Sequence, residues 1–184
     1  TFSIVVNPLP FISISVNDTT MCEGDYIRLY VSGTTSSYLW SPALGLNTTN
    51  NDTVVASPVN TTTYSVVGTD VNGCTEIIET KININPLPAI SVSPNIISKC
   101  KEASFVANSF GADSYIWSPN YGLSDTIGSV IIVNPAYSTV YTISGTDINN
   151  CINTTVLEVN VGVPPDITIT PSLATICEGE SITL

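Results

Sequence analysis

The chain repeats itself. The phrase GTDVNGC, Gly68 to Cys74, returns as GTDINNC, Gly145 to Cys151, at a step of 77 (145 − 68 = 77). Trp40 returns as Trp117, inside SYLWSPALGL and SYIWSPNYGL, and Tyr64 returns as Tyr141. Cys22 returns as Cys100 and again as Cys177. Pro8-Leu9-Pro10 is echoed by Pro86-Leu87-Pro88, and Val163-Pro164-Pro165 opens another copy. Many positions holding register at one period mean an array of equivalent units. On this frame residues 1–7 are the last strand of a preceding repeat, 8–85 form repeat 1, 86–163 form repeat 2, and 164–184 hold the first strands of a third. With no starting Met and no signal peptide, the text reads as a piece of something longer or as a processed product, and the partial units at both ends favour a stretch of a longer array.

Within a repeat the period is two. Ile78, Thr80, Ile82 and Ile84 share one face of a strand, with Glu79, Lys81 and Asn83 on the other. Repeat 2 answers with Thr155, Leu157, Val159 and Val161 against Val156, Glu158 and Asn160. Ile27, Leu29 and Val31 form another set, and Tyr64, Val66 and Gly68 a third. No segment keeps helical spacing. Asn72-Gly73 suits a primed two-residue turn, in which both central residues take positive φ, and Asn149-Asn150 is a poorer version of it. The WSP stretches stop a strand, because Pro donates nothing to a ladder. The expected fold is all-β: tandem immunoglobulin-like β-sandwich repeats of about 77 residues with seven short strands each. Trp40, Trp117, Tyr64 and Tyr141 are the expected core anchors; the competing role for each Trp is a sugar-stacking surface residue.

Charge narrows the partners. Four Lys+Arg stand against fifteen Asp+Glu, a formal charge of −11. Phosphate backbones and anionic membrane surfaces both need clustered cations, so nucleic acid and membrane surfaces are excluded as expected partners. No apolar run approaches the length of a membrane span. Five cysteines without any His give no zinc pattern. Widely spaced cysteines in an acidic chain read as disulfides formed in an oxidising, extracellular compartment.

The string CxGxxIxL…YxWSPxxGL…TTTYxVxGTDxNGC…PLP resembles the immunoglobulin-like and PKD-like repeats of large secreted Bacteroidetes proteins, exported by the type IX system, which include giant adhesins of gliding bacteria. The likeness covers nearly the whole chain. Repeat 2 departs from it at Glu102, which replaces the Gly of CxG, and at STVY, which replaces TTTY. The resemblance implies an extracellular scaffold or adhesion role at a bacterial cell surface.

The cysteines admit two pairings. Within a repeat, Cys22 would join Cys74, and Cys100 would join Cys151. In the usual sandwich topology, however, Cys22 starts the second strand at one end, while Cys74 follows the last turn at the other. A strand of about seven residues exceeds 20 Å at roughly 3.3 Å per residue, and a disulfide needs Cα atoms within about 7 Å. The geometry favours a staple between repeats, Cys22–Cys151, with Cys100 and Cys177 reaching forward to following repeats and Cys74 reaching back.

Other candidate sites are weaker. Asp70 and Asp147 are Ca²⁺ candidates beside a turn; the plainer role is a carboxylate capping its own turn. Thr19, Thr53 and Thr126 resemble acceptors of the Bacteroidetes O-glycan motif. Five Asn-x-Ser/Thr sequons, at Asn17, Asn47, Asn51, Asn60 and Asn153, carry little information in so Asn- and Thr-rich a text. No His base and no GxSxG motif are present, so no enzyme activity and no cofactor are expected. The expected function is a structural segment of a long surface fibre or adhesin. Its partners would be neighbouring repeats of the same chain, other copies in a filament, and an unknown surface or glycan target. The alternative is a PKD-like carbohydrate-binding accessory module of a secreted glycanase.

Overall fold

The computed structural model describes residues 2–163, 165, 167 and 175–183. The strands expected across 164–184 fall largely outside these residues. Residues 2–11 carry no strand. The described residues form fourteen strands, β1 to β14, and no helix.

Seven strands precede Pro86: β1 (Ile12–Ile14), β2 (Thr19–Cys22), β3 (Ile27–Gly33), β4 (Ser37–Ser41), β5 (Thr53–Ala56), β6 (Thr62–Thr69) and β7 (Thr75–Asn85). They build a three-stranded sheet, β1-β3-β5, and a four-stranded sheet, β2-β7-β6-β4. The leading strand is therefore split: β1 pairs antiparallel with β3, and β2 crosses to pair parallel with β7. Asp18 fixes the crossing, since its Oδ1 accepts a hydrogen bond from the Lys81 N–H at 2.9 Å. The Thr80 hydroxyl donates to the Asn17 carbonyl beside it at 3.3 Å. This arrangement of two facing sheets is the immunoglobulin-like β-sandwich.

The next seven strands repeat the plan: β8 (Ser91–Ser93), β9 (Ile96–Cys100), β10 (Phe105–Phe110), β11 (Ser114–Ser118), β12 (Val130–Val133), β13 (Thr139–Thr146) and β14 (Ile152–Gly162). Their sheets are β12-β10-β8 and β11-β13-β14-β9, with β9 parallel to β14. By compactness the chain divides into two units. One comprises Thr1–Ile90, Gly111–Tyr115 and Ser144–Thr154; the other comprises Ser91–Phe110, Ile116–Ile143 and Thr155–Leu184.

Alternation along the strands supplies each core. In the first unit Ile12, Leu29, Val31, Val54 and Ala56 from one sheet meet Trp40, Tyr64, Val66 and Ile82 from the other. In the second unit Ala107, Ile131 and Val133 are buried, as are Trp117, Tyr141, Ile143, Leu157 and Val159. Trp40 is 2% exposed and Trp117 1%, which leaves neither ring a face for a sugar. Their indole N–H groups donate to the carbonyls of Asn51 and Gly128, both at 2.9 Å. Such burial of a bonded indole combines a large apolar contact with a satisfied polar handle.

The glycine of GTD has a steric cause. A Cβ on Gly68 would lie 2.7 Å from Thr35 Cγ2 and 2.8 Å from Ile12 Cγ2. At Gly145 it would strike the Ile90 side chain and lie 2.9 Å from Ala112 Cβ. No room exists for even one methyl. Gly68→Ala is expected to cost about 1–3 kcal/mol by overpacking, read as a lower urea midpoint at unchanged m-value; an unchanged midpoint would show that β1 yields without cost.

Candidate functional site

The repeated phrase folds as a strand end, a loop and a cysteine. Thr69 and Thr75 pair across β6 and β7. Asp70 N–H donates to the Cys74 carbonyl at 2.9 Å, leaving Val71-Asn72-Gly73 as a three-residue loop. Gly73 N–H closes the turn on the Asp70 carbonyl at 3.2 Å, and Gly73 alone takes positive φ, at 82°. The primed two-residue turn expected at Asn72-Gly73 is thus replaced by an ordinary turn followed by a left-handed residue. Repeat 2 matches it, with Asn150 at φ 63° and Asn150 N–H bonded to the Asp147 carbonyl at 3.0 Å. The left-handed region tolerates Asn better than most residues, which is why Asn150 stands where repeat 1 has Gly.

Asp70 and Asp147 are spent on this loop. Asp70 Oδ1 accepts from the N–H groups of Asn72 and Cys74, each at 2.8 Å. Asp147 Oδ1 accepts from Asn149 at 2.9 Å and Cys151 at 2.8 Å. Both carboxylates therefore cap their own turns. Among the described residues no three His, Cys, Asp or Glu side chains cluster as a metal site.

Each loop presents its cysteine at the start of an eleven-residue strand, β7 or β14. Cys22 lies at the other end of β7, paired in register with Asn85. The length of β7, about 33 Å at roughly 3.3 Å per residue, separates Cys22 from Cys74. The structure instead bridges Cys22 to Cys151, with Cα atoms 5.5 Å apart and 129 positions between them in sequence. Both bridged residues belong to the first compact unit. The within-repeat alternative, Cys22–Cys74 with Cys100–Cys151, is corrected by this bond, and strand length is the physical reason. Cys74 is half-buried and unbridged, while Cys100 and Cys177 are exposed and unbridged.

The remaining candidates are scattered. Thr19, Thr53 and Thr126 are half-buried, the first two within β2 and β5. Of the sequon residues, Asn153 uses its Nδ2 to donate to the Pro88 carbonyl at 3.0 Å. Tyr64 and Tyr141 are fully buried at the starts of β6 and β13, and their hydroxyls donate to the carbonyls of Leu44 at 2.6 Å and Tyr121 at 2.5 Å. Sequence reading passed over Lys99. Only 8% exposed, it donates from Nζ to the carbonyls of Lys101 and Ala103 and to Asn134 Oδ1, at 3.2, 2.6 and 2.6 Å. Three acceptors satisfy the three ammonium donors without a carboxylate. Its one sequence signal is position: Lys99 falls on the inward phase of β9, where repeat 1 has Met21.

No family model matches the chain, and no curated protein matches it. Solved structures that it resembles include the N-terminal four Ig domains of Dscam1 isoform 1.9, at 12% identity over 79% of this chain and 43% of that one, with TM-score 0.35. The insect immune protein hemolin matches at 12% identity over 83% of this chain and 47% of that one, with TM-score 0.43. The N-terminal Ig1-2 module of the Drosophila receptor protein tyrosine phosphatase DLAR matches at 13% identity over 85% of this chain and all of that one, with TM-score 0.33. The chain spans less than half the length of the Dscam1 and hemolin chains. The fold is assigned from strand order and register, not from these likenesses.

Burial pushes the Tyr64 phenol above its ordinary value. Burial pushes Tyr141 up to about 12, with Tyr121 adding to the rise and a hydrogen bond with Thr139 opposing it. The folded state thus holds this proton more tightly than the unfolded one. The resulting stability is fully present below about pH 10 and is lost as pH rises through about 12. In a phenolate absorbance titration Tyr141 is expected to supply the last step, absent from Tyr141→Phe. A Tyr141→Phe curve identical to the parent would contradict the assignment.

Proposed function

We propose that this chain is a structural segment of a long extracellular surface fibre or adhesin, in which tandem sandwiches supply length and covalent staples supply stiffness. The observation that carries the reading is the Cys22–Cys151 bond, made between a cysteine of one repeat and the turn cysteine of the next. Closing a loop of this size stabilises by about 5 kcal/mol on chain-entropy grounds. A linker as short as Pro86-Leu87-Pro88 favours extension in the same direction, since Pro fixes φ. A disulfide supports an extracellular location. Placement on a bacterial surface among type IX-exported proteins rests on the motif string alone.

The same logic gives the unbridged cysteines their roles. Cys100 is the repeat-2 counterpart of Cys22, and Cys74 is the repeat-1 counterpart of Cys151. Cys100, and in its turn Cys177, would take the turn cysteine of a following repeat, and Cys74 the Cys22-type cysteine of a preceding one. Two electrons leave each thiol pair for a thiol–disulfide oxidant of the secretory environment. A domain joint without such a bond bends by default.

The full-length protein, imaged by negative-stain electron microscopy, is expected to form long, stiff rods. Reduction should turn these into strongly bent chains of the same contour length while each sandwich stays folded. Dispersed globular particles would contradict the fibre reading. Rods whose bending is unaffected by reduction would contradict the staple.

A further inference from the structure

The two repeats carry the same cleft with different chemistry. In repeat 1 a cleft of about 540 Å³ is lined by Glu23, Val59, Asn60, Thr61, Ile84 and Pro86. In repeat 2 the equivalent positions, Lys101, Ala136, Tyr137, Ser138, Val161 and Val163, line a cleft of about 400 Å³. Each cleft lies inside a single compact unit. The first stays open with the Cys22–Cys151 bridge formed beside it, so a staple at this end does not fill it.

Three differences between the repeats fall at or beside this cleft. Tyr137 stands for Asn60, Tyr121 for Leu44 and Lys101 for Glu23. The two tyrosine rings stack with centroids 6.4 Å apart and planes 17° from parallel. Tyr121 is tied down, its hydroxyl accepting from the Ala136 N–H at 3.2 Å and its carbonyl accepting from buried Tyr141. Tyr137 is backed by this ring yet 72% exposed. The charge reverses as well: Met21-Cys22-Glu23-Gly24-Asp25 sums to −2, whereas Lys99-Cys100-Lys101-Glu102-Ala103 sums to +1. Half of the four cations in a chain of charge −11 therefore stand together here, Lys99 beneath the loop and Lys101 in the cleft. The Ser138 Oγ accepts from the Val161 N–H at 3.0 Å, which leaves its own hydroxyl hydrogen to donate.

We propose that the repeat-2 cleft binds an acidic sugar, a uronate, with its pyranose face on Tyr137 and its carboxylate on Lys101 Nζ and the Ser138 hydroxyl. A rigid, exposed aromatic ring offers the flat apolar surface that a pyranose C–H face needs. With Lys99 Nζ spent on its three acceptors, Lys101 is the cation lining this cleft that is left to meet a carboxylate. The cleft volume lies in the range of small-ligand sites and fits one or two sugar rings. Repeat 1 keeps the shape but lacks the ring and the cation. The inference does not depend on the fibre reading, since a binding cleft serves a fibre, an adhesin or a single module alike.

The test is titration of the whole protein with a galacturonic acid trimer and with the neutral galactose trimer, followed by amide chemical shifts and calorimetry. The acidic trimer is expected to bind with shifts centred on Tyr137, Ser138 and Gly162. Tyr137→Ala and Lys101→Glu should each weaken binding by about tenfold or more. The neutral trimer should bind at least several-fold more weakly and be insensitive to Lys101→Glu. Both variants alter exposed side chains, and unchanged near-ultraviolet circular dichroism would confirm their fold. Failure of the acidic trimer to bind, equal binding of the two trimers, or binding unchanged in either variant would overturn the proposal.

Discussion

An extended strand of eleven residues cannot bring its own ends together, and much of this structure follows from that. β7 carries the turn cysteine Cys74 at its start and, through parallel pairing with β2, holds Cys22 at its finish. Two cysteines so placed are barred from each other by about 33 Å of backbone at roughly 3.3 Å per residue. Neither can be the other's partner. The bond between Cys22 and Cys151 is the outcome for one such pair.

The turn that delivers the cysteine is overdetermined. The glycine of GTD clears the space for a neighbouring strand, the aspartate caps two N–H groups, and a left-handed residue ends the loop. The glycine, the aspartate and the left-handed residue of the phrase each answer a steric or hydrogen-bonding demand near the same end of the fold. A bridge needs its Cα atoms within about 7 Å, so small displacements decide whether it forms.

Much of the fold was legible in the text. The period of 77 located the repeats, and the alternation at Ile78 to Ile84 located a strand and its buried face. Other features were not legible, for physical reasons. Asn72-Gly73 is a turn dipeptide in several hairpin loops, and only the Asp70 hydrogen bonds select the three-residue form. The split of the leading strand between two sheets is fastened by contacts 63 positions apart, Asp18 Oδ1 with the Lys81 N–H in repeat 1 and the Asn95 carbonyl with the Glu158 N–H in repeat 2. Lys99 gave no chemical sign of burial in the text, because only its pairing in β9 turns it inward. The cleft of repeat 2 was invisible because Lys101, Tyr137 and Val161 are distant in sequence and meet only in the folded sandwich.

The central claim is that the seams between repeats, not the repeats themselves, hold the disulfides. Proteolysis of the oxidised protein with its thiols blocked, followed by mass spectrometry, addresses it most directly. The account predicts a linked species joining the peptide of Cys22 to the peptide of Cys151, which separates on reduction. A species joining the peptides of Cys22 and Cys74 would contradict it.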